Sequence, residues 1–262
     1  TCYYSDGVQE MFPKDADLVE INARCYLGIP LADSVGNILG HLAVMDTKAM
    51  NANPEYESIL KIFAARAGAE LERQQIDSAL RRRAERDRLT SSISRQFIDA
   101  ALDSAMDFAL QGVGEFTECD RSYIFQYDRS GSYFSNTHEW CAPDIEPFMP
   151  QLQQIPVQAH PWLHRQLMAG EAIVVPRVKD LPPEAAAEKG ELERQGVRSI
   201  VMVPAIYGSQ LVGAIGLDAV RTCKDWNSEE IGLLHFVAEI IAISQARHQA
   251  ETALRESKLF IQ

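Results

Sequence analysis

Arg198-Ser199-Ile200-Val201-Met202-Val203-Pro204, followed by Tyr207-Gly208-Ser209-Gln210 and Leu211-Val212-Gly213-Ala214-Ile215-Gly216-Leu217-Asp218, is the stretch whose reading decides the fold. Two apolar runs of strand length flank a short turn with Gly and Ser, the pattern of a β-hairpin. The chain repeats it about 174 positions earlier, with Arg24 standing against Arg198. There Arg24-Cys25-Tyr26-Leu27-Gly28-Ile29-Pro30 leads through Asp33-Ser34-Val35-Gly36-Asn37 to Ile38-Leu39-Gly40-His41-Leu42-Ala43-Val44. Arg and Pro stand six apart in both copies, and the one-residue slip at the turn is what a loop insertion gives. A repeat of this length marks a duplicated domain, since solenoid repeats are far shorter.

Outward from each hairpin the surroundings also repeat. A Pro-initiated acidic helix precedes each one, from Phe12-Pro13-Lys14-Asp15 to Asn22 and from Leu181-Pro182-Pro183-Glu184 to Gly196. A long helix follows each, opening near Pro54-Glu55 and at Asn227-Ser228-Glu229-Glu230, where Asn and the Glu three residues on form a capping pattern. Only the second copy has a full front half. Leu102, Met106, Ala109, Leu110, Val113 and Phe116 form the stripe of an amphipathic helix. Two strands follow, in which alternation puts Tyr123, Phe125 and Tyr127 on one face of the first and Phe134, His138 and Trp140 on one face of the next. Residues 146–170 read as a looser helical segment interrupted by Pro156 and Pro161, and Ala172 to Val175 as a short strand. Helix, strand, strand, helix, strand, helix, hairpin, helix is the order of an α+β domain with an antiparallel sheet.

On these residues the chain resembles the GAF family, sensory domains with a central antiparallel sheet flanked by helices. Ser199 to Asp218, Trp226-Asn227-Ser228-Glu229-Glu230-Ile231 and Ser135-Asn136-Thr137-His138-Glu139-Trp140-Cys141 carry the resemblance. The expected organisation is the C-terminal half of one GAF domain over 1–75, a connecting signalling helix over 76–101, a complete GAF domain over 90–248, and the start of an outgoing helix over 249–262. Such domains serve bacterial histidine kinases, diguanylate cyclases and phytochromes, so the resemblance implies a non-catalytic sensory module with a C-terminal kinase or cyclase as output partner.

Composition narrows the partners. Of 262 residues, 46% are apolar and 24% charged, as in packed domains. A net charge of −12 disfavours nucleic acid, and the basic run Arg81 to Arg88 is laced with acids like a solvated helix face. Apolar stretches such as Ile200 to Ile206 are too short for membrane insertion. The opening Thr1-Cys2-Tyr3-Tyr4-Ser5-Asp6-Gly7 is neither a signal peptide nor a natural start, so the chain is expected to be a piece of a longer cytoplasmic protein. Five scattered cysteines without C-x-x-C read as reduced thiols, mostly small core residues.

The resemblance implies a ligand pocket between the sheet and the segment from Ile145 to Gly170. Its candidate lining is Tyr123, Phe125, His138, Trp140, Trp162, His164 and Met202, an aromatic set suited to a flat ligand, with a plain aromatic core as the competing reading. His160 and His164 are one turn apart and His138 lies near Cys141, but Pro161 stands between the first two and no closed set of four ligands exists, so no metal is expected. No cyclic-nucleotide signature occurs, and Cys141 is followed by Ala142-Pro143 where bilin-binding relatives have His; the cofactor stays unknown. Cys119, Cys141 and Cys223 are present without the cysteine pattern of the branch that reduces free methionine sulfoxide. Hydrolase, P-loop and dinucleotide motifs are missing.

From Glu57 to Ala101 strong helix formers dominate, predicting one long helix, continuous or once broken. Ile62, Ala69 and Ile76 recur every seven residues and Ala65 and Ala79 share their spacing, a partial coiled coil that a homodimer explains better than a lone helix. A ligand-free GAF scaffold serving dimerisation alone is the alternative to sensing.

Overall fold

The computed structural model describes residues 1–51 and 53–259. It divides into two compact units, Thr1–Ala84 and Glu85–Gln262, and the two hairpins lie in separate sheets.

The first unit contains β1 (Cys2–Tyr4), α1 (Val8–Met11), α2 (Ala16–Glu20), β2 (Cys25–Ala32), β3 (Ile38–Asp46) and the opening of α3 (Pro54–Asp99). The single acidic helix expected up to Asn22 is two short ones. The helical run breaks at Phe12, and the Asp15 carboxylate starts α2 by accepting from the Asp17 and Leu18 amides. Asp33 Oδ1 accepts from the Val35 and Asn37 amides and closes the hairpin turn. The antiparallel order is β1-β2-β3. Alternation along β2 sends Leu27, Ile29 and Leu31 toward Leu60 and Ala64 of α3, one core. Val8, Leu18 and Ala23 form a second small cluster with Tyr4 and Tyr26. At the sheet edge, β3 leaves Ile38, Val44 and Met45 exposed.

The second unit continues α3 through the buried Ile93 and Phe97. It then runs through α4 (Leu102–Thr117), β4 (Arg121–Tyr127), β5 (Tyr133–Cys141), β6 (Ile155–Pro156), α5 (Pro161–Met168), β7 (Ile173–Val175), α6 (Ala186–Arg194), β8 (Ser199–Tyr207), β9 (Gln210–Ala219) and α7 (Ser228–Leu259). Six strands pair antiparallel in the order β6-β5-β4-β9-β8-β7, an α+β sheet flanked by helices as the resemblance implies. The predicted stripe of α4 is the buried one: Met106, Ala109, Leu110 and Val113 pack with Leu233, Leu234, Val237 and Ile241 of α7 on one face of the sheet. Asn227 Oδ1 accepts from the Glu230 amide and Glu230 Oε2 from the Asn227 amide, the capping box read from the sequence. α7 runs to Leu259, through most of the stretch 249–262 where an outgoing helix is expected, and residues 260–262 lie outside the described residues.

The segment between β5 and β7 is better built than its prolines suggested. Ile155–Pro156 pairs with Tyr133 and Phe134, where an edge strand tolerates a residue without an amide hydrogen. Pro161 sits at the first position of α5, so it initiates a helix where the sequence alone suggests an interruption. Among the described residues no helix is long and apolar enough to cross a membrane.

Candidate functional site

The second face of the six-stranded sheet is set by alternation along β4. Arg121, Tyr123 and Phe125 point away from α4, whereas Ser122 and Ile124 point toward it; Ser122 Oγ donates to the Leu110 carbonyl and Ile124 joins the α4–α7 core. In β5 a bulge interrupts the alternation: Ile124 pairs with His138 and Phe125 with Asn136, leaving Thr137 unpaired. Phe134 and Glu139 therefore share the face of Tyr123, while His138 and Trp140 turn to the other. His138 Nε2 lies 3.5 Å from Asp103 Oδ1 at the start of α4, and the Trp140 ring occupies the space a Cβ on Gly114 would need. The expectation that Phe134, His138 and Trp140 share one face is corrected by this one extra residue.

Between that face and α5 and α6 lies a cavity of about 60 Å³. Tyr123, Phe125, Phe134, Ile200 and Met202 supply its sheet side, and Leu152, Ile155, His160 and Leu163 cover it. Three of the seven residues proposed from sequence, Tyr123, Phe125 and Met202, are brought together here. Trp162 and His164 sit on α5 outside the lining, with His164 Nδ1 3.1 Å from the Tyr127 hydroxyl. His138 and Trp140 belong to the opposite face.

Four carboxylates also line the cavity, Glu139, Glu188, Glu191 and Asp218, none of them among the lining candidates read from the sequence. Glu188 is 2% exposed. Its Oε1 accepts from the Trp162 and Leu163 amides at 2.9 and 3.1 Å, holding the N-terminus of α5, where a negative charge meets the helix dipole. Its Oε2 has no hydrogen-bond partner among the described residues. Glu139 Oε2 accepts from the Phe148 and Met149 amides, both at 2.9 Å. Glu191 is bridged by Arg194, whose guanidinium lies 5.5 Å from the Phe148 ring centre.

Asp218 is the anchor of a buried network. Arg121 Nη2 stands 3.2 Å from its Oδ2, and the Tyr123 hydroxyl donates to its Oδ1 at 2.9 Å. Burial pushes the Asp218 carboxyl up to about 6 against the pull of Arg121 and Tyr123, so desolvation outweighs both partners. Burial likewise pushes the Tyr123 phenol well above its ordinary range. Gly216 makes the geometry available: a Cβ there would lie 2.5 Å from the Tyr123 ring. The one sequence signal for this network was Asp218 closing an otherwise apolar strand.

Cys119, Cys141 and Cys223 are free thiols; burial raises Cys119 to about 12 and Cys141 to about 11, opposite to the shift a thiolate nucleophile needs. Among the described residues no three His, Cys, Asp or Glu side chains are grouped to hold a metal ion.

Comparison with known proteins agrees with this architecture. The GAF domain family model matches residues 101–245. The chain is similar to the methanogenesis regulatory histidine kinase FilI of Methanothrix harundinacea, 29% identical over 181 residues. The match covers 66% of this chain and 20% of that kinase, so the chain spans about a fifth of its relative's length. Among solved structures, the GAF domain of a phosphoenolpyruvate-protein phosphotransferase from Coxiella burnetii aligns with a TM-score of 0.55 at 15% identity, over 65% of this chain and 98% of that one. A GAF domain from Synechocystis in its photoproduct state aligns with a TM-score of 0.50 at 23% identity, over 59% of this chain and 98% of that one. At these identities the two structures speak for the fold.

Proposed function

This chain belongs to the GAF domain family, and from that premise we propose that it is a non-catalytic sensory part of a cytoplasmic signalling protein, relaying the state of its second-unit cavity through dimeric helices to an output module. The observation that carries the reading is the cavity itself, where the unpartnered oxygen of the buried Glu188 meets an aromatic wall on a sheet whose reverse face supports α7. In β8 the alternation that turns Ile200 and Met202 to the cavity turns Val201 and Val203 to Leu234 and Val237. A molecule that changes the seating of β8 on one face thus changes the bed of α7 on the other, which shifts the population of helix arrangements. The likeness to a regulatory histidine kinase makes a kinase the first output module to consider, with a cyclase second.

Dimerisation has its own support in α3. Ile62, Ala69, Ile76 and Leu80 fall within about 40° of one another on a helix turning about 100° per residue, opposite the Leu60 and Ala64 face that packs on β2. Ile62 is 71% and Leu80 59% exposed. Two such seams pack against each other in a parallel homodimer with a small-residue step at Ala69. We expect Ile62→Lys with Ile76→Lys to raise the dimer dissociation constant at least tenfold, measured by light scattering, with circular dichroism unchanged because neither side chain serves the core. A monomer before substitution, or an unchanged mass after it, would count against the relay. A scaffold without a ligand predicts the same loss of dimer but no response of α7 hydrogen exchange to any cavity-binding molecule.

A further inference from the structure

We infer that the occupant of the second-unit cavity is a small organic ammonium ion, held by the free oxygen of Glu188 against the aromatic wall of Tyr123, Phe125 and Phe134; this rests on the reading of the cavity as the sensory site. Charge decides the class. Of the four lining carboxylates, Asp218 is answered by Arg121 and Glu191 by Arg194, whereas the hydrogen bonds to Glu139 and Glu188 come from neutral backbone amides. Two carboxylates with no cationic side chain bonded to them thus face the aromatic enclosure, and the lining histidine, His160, acts on Glu191. An anion is repelled there, and a neutral donor satisfies the Glu188 oxygen without answering the charge. An ammonium group does both, and the faces of Tyr123, Phe125 and Phe134 attract a cation through their ring quadrupoles.

Three further observations fix its size and kind. A cavity of about 60 Å³ holds about five water-sized groups, which admits a four-carbon amine and refuses a haem or bilin. No set of three ligating side chains converges among the described residues, which turns the choice from a metal ion to an organic cation. Asn136, 1% exposed and paired with Phe125, has neither side-chain polar atom partnered among the described residues, so an unanswered amide lies next to the aromatic wall, outside the cavity lining itself.

The probe is tert-butylammonium chloride, with tert-butanol as its neutral isostere, pivalate as an anion of similar bulk, and sodium chloride as the ionic-strength control. Titrated into the whole chain by calorimetry and ¹⁵N-resolved NMR, the ammonium should bind saturably, at least tenfold tighter than tert-butanol. It should shift the Trp162 and Leu163 amides, which donate to Glu188 and report on that carboxylate in the unaltered protein. Glu188→Gln keeps a carbonyl acceptor for those amides and should weaken binding at least tenfold. Equal or tighter binding of tert-butanol or pivalate at the same amides overturns the cation while leaving the sensory cavity standing. If no probe of any charge moves those amides, both readings fall.

Discussion

Replacing Arg121 by Met should cost the second unit about 3–5 kcal/mol of stability at pH 8, the range found when one partner of a buried ion pair is removed. Arg121 is 1% exposed and Asp218 2% exposed, so the carboxylate left behind is cut off from bulk solvent. Met fills much of the volume of the arginine stem, which keeps the loss electrostatic and not a matter of packing. Gln195 also loses the Arg121 Nη2 donor to its carbonyl at 3.3 Å, and Phe148 loses the guanidinium stacked 4.9 Å from its centre. All three tryptophans, Trp140, Trp162 and Trp226, lie in this unit, so tryptophan fluorescence during urea unfolding reads it without interference from residues 1–84.

The pH dependence tests the cause. A carboxyl whose pKa is raised from 3.8 to about 6 on folding binds its proton more readily in the native state. Its contribution to stability is complete below about 4 and is lost as the pH rises through about 6. Without Arg121 the native carboxyl rises further, and at pH 5 it escapes the penalty by staying protonated. The loss caused by Arg121→Met should therefore be clearly smaller at pH 5 than at pH 8, and Arg121→Met with Asp218→Asn should recover most of it at pH 8. A loss independent of pH would mean that the arginine acts through packing alone.

What the sequence made legible followed from period and punctuation. The hairpins, the α4 stripe and the Asn227–Glu230 cap are local patterns, each decided by residues within a few positions of one another, and each stands where it was read. The cavity lining depends on things that are not local. One unpaired residue at Thr137 exchanges the faces of everything after it in β5, so Glu139 enters the site and Trp140 leaves it. Glu188 reads as one more acid in a polar helix, and only the arrival of the α5 N-terminus shows why it is buried. Pro161 looks like an obstacle in the sequence because a proline's meaning depends on which side of it the helix lies.

The first unit offers the second large effect, because its long helix touches its sheet through a glycine. On α3, Leu60, Ala64 and Gly68 follow one another at intervals of four, and the third brings the helix backbone down on β2: a Cβ on Gly68 would lie 2.5 Å from the Ala32 carbonyl oxygen and 3.3 Å from the Ala32 amide nitrogen. Backbone cannot step aside as a side-chain tip can, so Gly68→Val must lift the helix off the strand and loosen Leu60 and Ala64 from Leu27, Ile29 and Leu31. Overpacking of this kind costs about 1–3 kcal/mol, and a unit whose core is this small has little to set against it. We expect a loss near the top of that range, seen as faster hydrogen exchange across residues 25–46 with the tryptophan-monitored transition of the second unit unmoved. Gly232 is the control: it lies on the exposed side of α7 with no atom near an added Cβ. There Gly232→Ala should gain about 0.5–1 kcal/mol, since alanine outranks glycine in a helix whenever nothing stands in its way. Opposite signs from two helical glycines would locate the constraint in the approach of α3 to β2; matching signs would show that the clash is relieved at little cost.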